Sequence, residues 1–318
     1  MRRTLTVFVL CLVTGLLFTR SALAQIPGGD SIATYATAPG PVGLTFNPVD
    51  GRLYVTSSGA VRGVYRVDTV GGAASAFAIG APFVNPWGIV CDPSGTLFVA
   101  DRGDPAVANG SMIIRITPAG TATTFVTGLP GIFGLAIDAS GNLYAGSYNG
   151  QKVVRITPAG VVSNYATGLG VVGNQTYQLE FDAAGNLYVG NEDRILRMAP
   201  GGSPATQVVG GLSEAMGFVR WTGDNFIVST FGFGRLLYTS PTLGVPPVPI
   251  TSVLLANPCT DGPIPDGTRV TQPVFMTLHD DIAYFADQNC NRVRRFKLPS
   301  QSSASRRTTW GTLKSYYR

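Results

Sequence analysis

Two small sets of side chains in this sequence have the types and the spacing to do chemistry. Ser57, Asp101, Ser147, Asn191, Thr230 and Asp287 recur at one matching place in an internal repeat, as do Val42, Trp87, Phe133, Tyr177, Met216 and Pro273. An apolar ring beside a few polar groups is the usual composition of a ligand pocket. Trp87, Phe133, Tyr177, Met216, Asp101, Asn191 and Asp287 are therefore the candidate ligand-binding residues. The structural alternative is that Asp101 and Asp287 close turns and that the aromatic side chains pack between repeats. Asp101 and Asp287 are also the candidate metal ligands, but calcium takes about six oxygens and two carboxylates alone are too few. The single histidine, His279, falls in a turn at the opposite end of the repeat, where a solvent-exposed residue is expected. No serine nucleophile can be paired with a histidine base at the ring. Binding without catalytic residues is the expectation that follows.

The repeat that aligns these positions has four apolar runs. One unit reads Gly134-Leu-Ala-Ile-Asp-Ala-Ser-Gly-Asn-Leu-Tyr-Ala-Gly-Ser147, then Lys152-Val-Val-Arg-Ile-Thr-Pro-Ala-Gly160, then Val161-Val-Ser-Asn-Tyr-Ala166. Each run is a strand, A to D, and each Gly-bearing cluster a turn. Units begin at Gly43, Gly88, Gly134, Gln178, Gly217 and Val274, in steps of 45, 46, 44, 39 and 57 residues. Strand C carries Arg66, Arg115, Arg155, Arg197 and Arg295 at one position, with Tyr238 as the exception; a residue shared by nearly every unit points to a structural task. Four-strand units of this length predict an all-β, six-bladed propeller with four-stranded blades. The last unit lacks strand D, and Ile32-Ala-Thr-Tyr-Ala36 precedes the first, so the N-terminal strand is expected to complete the last blade. Both sets of candidates then lie on one face, called the top here, with the D-to-A connections and B-to-C turns. The A-to-B and C-to-D turns share the bottom.

The two ends of the chain differ from its body. Arg2 and Arg3, an apolar run from Leu5 to Phe18, and Ala22-Leu23-Ala24 read as a secretory signal peptide over residues 1–24, cleaved after Ala24. Export to a secreted or periplasmic location follows from it, and no other run is long enough to span a membrane. Residues 25–298 form the propeller. Residues 299–318 are a basic tail, read as disordered or, because of Trp310, Tyr316 and Tyr317, as a docking segment. The net charge of +5 belongs to these ends: the body holds 16 of the 23 basic residues and all 18 acidic ones. A nucleic-acid-binding face needs clustered Lys and Arg that the body lacks. A monomer is expected.

Asp287-Gln-Asn-Cys-Asn-Arg-Val-Arg-Arg-Phe296, after Ala283-Tyr-Phe-Ala286, resembles the NHL repeat, and the units are similar to those of SMP-30/gluconolactonase-like and virginiamycin B lyase-like propellers. The resemblance covers roughly residues 31–298. An SMP-30-like hydrolase implies a divalent cation such as calcium, a Glu on the first blade, Asn residues before strand A and an Asp after strand B. Asp101 and Asp287 match the last position, but Pro41-Val42-Gly43 replaces the Glu and apolar residues replace the Asn positions. The lyase resemblance implies more than one histidine at the channel mouth, and this chain has one. The expected function is therefore an exported module binding a small molecule or a protein on its top face, with no cofactor. A metal-dependent lactone hydrolase is the alternative, and a cell-envelope scaffold the second.

The longest step contains the insertion Asn257-Pro-Cys-Thr-Asp-Gly-Pro-Ile-Pro-Asp-Gly-Thr268, ahead of the last strand A. Cys259 lies there and Cys290 in the B-to-C turn of the same blade, on the same face, which predicts a Cys259–Cys290 disulfide. A loop of ~30 residues gives about 3–4 kcal/mol in the chain-entropy account. Cys91, in the second strand A, is expected to be a buried, unpaired thiol. Asp261 and Asp266 are read as turn residues, with calcium binding as the alternative. Asn109 and Asn174 fit the glycosylation pattern.

Overall fold

A computed structural model describes residues 31–147, 151–170, 175–221, 223–232, 234–250, 259, 261 and 270–298. The signal-peptide and tail segments, Asn174 and Asp266 lie outside them. Six sheets are formed, one for each unit; all pair antiparallel except that Gly72–Ala73 of blade 1 joins the last sheet parallel to the N-terminal strand. Blade 3 shows the pattern: Ile132–Ile137, Leu143–Ser147, Val153–Ile156 and Val162–Ala166 pair in sequence order. Strand A of each blade is innermost, packed against strand A of its neighbours. Among the described residues no helix is long and apolar enough to cross a membrane.

Local chemistry sets the turns. In the A-to-B turns Asp92, Asp138 and Asp182 each accept two backbone N–H groups through Oδ1, as from Ser140 and Asn142 at 2.9 Å each. Gly120 and Gly160 close the Thr-Pro-Ala-Gly turns by donating to Thr117 and Thr157. The repeated arginines serve the packing between strands. Arg66 and Arg115 lie over Phe77 and Phe125 of their own strand D at 5.7 and 5.9 Å. Arg295 lies 5.0 Å over Tyr35 of the N-terminal strand.

The inner ring is built on close approach. Strands A present Gly43, Gly88, Gly134 and Gly217 to the next blade, where a Cβ would fall within 1.9 to 2.6 Å of the neighbouring carbonyl oxygen. Any larger residue there would have to push two blades apart. The same position holds Gln178 in blade 4 and Phe275 in blade 6, since the register pairs Met276 with Phe285 as it pairs Leu44 with Val55. The last unit thus begins one residue later than the sequence spacing suggests. Val274, not Pro273, is its rim residue; Pro273 instead faces Asp287, as Pro41 faces Ser57.

The ring is closed by Ala33–Thr37, which pairs antiparallel with the last strand C (Arg292–Lys297). Tyr35 of that strand packs edge-on against Tyr284, and its hydroxyl donates to the Asp68 and Thr69 carbonyls of blade 1. The predicted disulfide joins Cys259 to Cys290, with Cα atoms 5.5 Å apart. Beside it Arg294, fully buried, donates to Asp287 Oδ2 at 3.1 Å and Asp261 Oδ1 at 2.9 Å. Asp261 also accepts from the Thr34 amide and hydroxyl at 2.9 and 3.1 Å. Arg292 donates to Thr34 Oγ1 and to the Cys259 carbonyl. Asp261 is therefore engaged with the N-terminal strand and Arg294.

Removing one member of a buried ion pair leaves an uncompensated charge and costs about 3–5 kcal/mol. Arg294→Met is expected to lower the urea-unfolding free energy by that amount. Deleting residues 25–40 is expected to lower Tm sharply; a truncated chain melting with the full-length one would refute the closure.

Candidate functional site

The six polar ring residues are the last residues of strands B and face the first residues of strands A. All are buried. Asp101 accepts from the Val84, Asn85 and Gly103 amides, each at 2.8 Å. Burial raises its affinity for a proton and these three N–H groups oppose that. Asp287 accepts from Arg294 and from the Thr271 amide and hydroxyl. Ser57 and Ser147 instead donate to the Pro39 and Pro130 carbonyls at 2.5 and 2.6 Å. The alternation has a simple cause: a connection that presents N–H groups is met by a carboxylate, and one that presents a carbonyl by a hydroxyl. Asn191 accepts from Arg194 at 3.3 Å, while its buried Nδ2 has no partner. Among the described residues no three His, Cys, Asp or Glu side chains are grouped as a metal site would need.

The apolar set converges. Phe133, Tyr177, Met216, Val42 and Val274 belong to one buried cluster, with Trp87 half-buried against it. The Trp87 and Phe133 rings meet edge-on at 4.5 Å, and Phe133 meets Tyr177 at 5.6 Å. Trp87 also reaches Phe275 of blade 6 at 6.3 Å. Its indole N–H donates to Asn85 Oδ1 at 3.0 Å, and Arg102 lies 5.0 Å over Phe133. The Tyr177 hydroxyl donates to Gln175 Oε1. Apolar side chains thus meet at the top of the axis, and Trp87 keeps part of its surface exposed.

Below this plug is a cavity of about 190 Å³, lined by strands A of blades 1, 2, 3, 4 and 6. Gln178, standing where four other strands A have glycine, ties blade 4 to blades 5 and 6: its Nε2 donates to the Phe218 and Met276 carbonyls, and its Oε1 accepts from their amides. Two residues further, Glu180 lines the same cavity. Burial pushes its carboxyl up to about 7; Arg220 pulls it down and Asp182 adds to the rise. Glu180 is not among the residues that the repeat pattern singles out. Its signal was present: blades 1, 2, 3, 5 and 6 hold Thr45, Val90, Ala136, Val219 and Thr277 at this place, and the one acid follows the break in the glycine series.

His279 ends the last strand A on the bottom side, as the repeat placed it, but it is not an exposed turn residue. It is half-buried and stacked on Phe46 at 4.2 Å. Burial lowers its pKa and Asp280 opposes the shift. Cys91 is unpaired, half-buried rather than fully buried, and burial raises its thiol to about 12.

No protein-family model matches this chain, and no curated protein matches it. Solved structures do. An auxiliary nutrient binding protein from Bacteroides thetaiotaomicron aligns over 84% of this chain and 76% of its own, with 14% identity and a TM-score of 0.67. Virginiamycin B lyase from Staphylococcus aureus aligns over 85% and 100%, with 14% identity and a TM-score of 0.60. A propeller named after gluconolactonase aligns over 86% and 93%, with 14% identity and a TM-score of 0.59. At such identities the shared property is the six-bladed fold.

A carboxyl with a folded-state value near 7, against an ordinary 4.5, binds its proton more tightly when folded. Its contribution to stability is complete below about 4.5 and lost as pH rises through about 7. Glu180→Gln is therefore expected to raise Tm by a few degrees at pH 8, and the gain should vanish at pH 4. Melting curves across this range check it.

Proposed function

We propose that this chain is an exported binding module whose top face takes a ring-bearing ligand, such as a sugar or an aromatic group, without catalysing a reaction. The observation that carries the reading is the half-exposed Trp87 over a floor of Phe133, Tyr177 and Met216. A flat aromatic side chain with satisfied polar edges loses little conformational entropy when it stacks on a ligand. Asn85 and Gln175 hold the polar tips of Trp87 and Tyr177. Arg102 lies over the Phe133 ring beside this floor.

Asp101 and Asp287 act in this proposal as the supports of that floor rather than as ligands. Their oxygens are taken by backbone amides and Arg294, which leaves them poorly placed for a divalent cation. Export is supported by the disulfide, a bond of oxidising compartments, and by the signal-peptide pattern of residues 1–24. One fold neighbour is a nutrient binding protein, which supports a ligand-binding role.

The test is a calorimetric screen of soluble oligosaccharides and aromatic glycosides against the purified chain, with and without a chelator. A hit is expected to be insensitive to the chelator and weakened at least tenfold by Trp87→Ala. Stoichiometric metal together with chelator-sensitive lactone hydrolysis would overturn the reading in favour of a hydrolase.

A further inference from the structure

The axial cavity on the bottom side of the plug has a chemistry unlike that of the top face. It is lined by Glu180, Gln178, Thr45 and Thr277 among apolar side chains. Gln178 has both amide donors and its oxygen engaged with the backbone of blades 5 and 6, so Glu180 carries the charge of the cavity. Four strands pack against its own: Ile132–Ile137, Leu143–Ser147, Leu187–Asn191 and Ala215–Arg220. Together they bring one charged side chain, Arg220. Its guanidinium is turned elsewhere, lying 3.8 Å from Asp182, donating to the Gly223 carbonyl at 2.5 Å and lying 4.8 Å over Tyr188. Arg220 acts on Glu180 through its charge, from beyond ion-pair distance, and less through its backbone amide. Among the described residues no cation forms an ion pair with it.

A carboxylate without an ion-pair partner, beside apolar walls, favours a cation that also has apolar surface. A hard divalent ion would find one carboxylate where it needs about six oxygens. Phe275, also in the lining, adds an aromatic side chain of the kind that suits a soft cation. The cavity volume of about 190 Å³ corresponds to about six water molecules at ~30 Å³ each, which suits a compact ligand of about that many heavy atoms. We propose that the axial cavity is a binding site for a small alkylammonium ion, or for the amine end of a larger ligand, with Glu180 as its counter-ion.

The proposal is independent of the top-face reading. It is tested by calorimetric titration of the full chain with n-butylammonium chloride, with n-butanol as the neutral comparison. Saturable binding is expected at pH 8. At pH 5.5 it should be about 30-fold weaker, the change in the ionised fraction of an acid near 7, because the amine stays charged throughout. Glu180→Gln, which keeps the side-chain shape, should lose the binding at both pH values while retaining the wild-type circular dichroism. Absence of saturable binding at pH 8, equal binding by Glu180→Gln, or equal binding of n-butanol would each overturn it.

Discussion

The ring depends on a seam between residues far apart in the chain, and one guanidinium sits at its centre. Arg294 joins Asp287 of its own blade to Asp261 of the preceding connection. Asp261 in turn holds Thr34 of the N-terminal strand. Three segments distant in sequence are thereby fixed together around a buried guanidinium and carboxylate, where unsatisfied charge is expensive. The Cys259–Cys290 bond keeps the connection within reach, and the Asn291 carbonyl and side chain receive the Ala38 and Gly40 amides. A propeller whose first and last blades parted would expose two sheet edges and dissolve the apolar convergence at its axis.

The inner ring transmits that closure to the site. Glycines in four strands A bring neighbouring backbones into contact, which draws Trp87, Phe133, Tyr177 and Met216 together. Where glycine is absent, between blades 4 and 5, the inner strands pack less closely, and Gln178 fills the interval with four backbone hydrogen bonds. The cavity and its single carboxyl are by-products of the same departure from symmetry. Plug and cavity thus arise from one rule and its exceptions.

The repeat made the architecture readable. Strand order, blade number, N-terminal closure and the Cys259–Cys290 bridge all follow from aligning six units, because repetition converts weak local signals into a common register. In the last unit Phe275 replaces the glycine that marks most of the others, so spacing alone places its start at Val274 and its rim residue at Pro273, one residue short of the register the strands adopt. The polar ring was located, but alignment cannot tell which backbone groups a side chain will meet. Asp101 and Asp287 look like ligands until Val84, Asn85 and Thr271 arrive from connections of irregular sequence. Glu180 was missed for the opposite reason: it lies inside a regular strand, where attention to loops and matching positions does not reach. His279 stacks on Phe46 of the first blade, a contact that only ring closure creates.

Thr34 and Arg294 are paired across 260 positions of sequence, and this separation orders the events of folding. The strand that leaves the ribosome first is the one whose partner is made last. Until strand C of blade 6 exists, residues 33–37 have no sheet to join, and the final blade afterwards keeps an open edge until they dock. Such long-range pairing is slow and leaves unpaired strand exposed to other chains. A protein of this design therefore has most reason to avoid crowding in the interval between its synthesis and the fastening of its two ends.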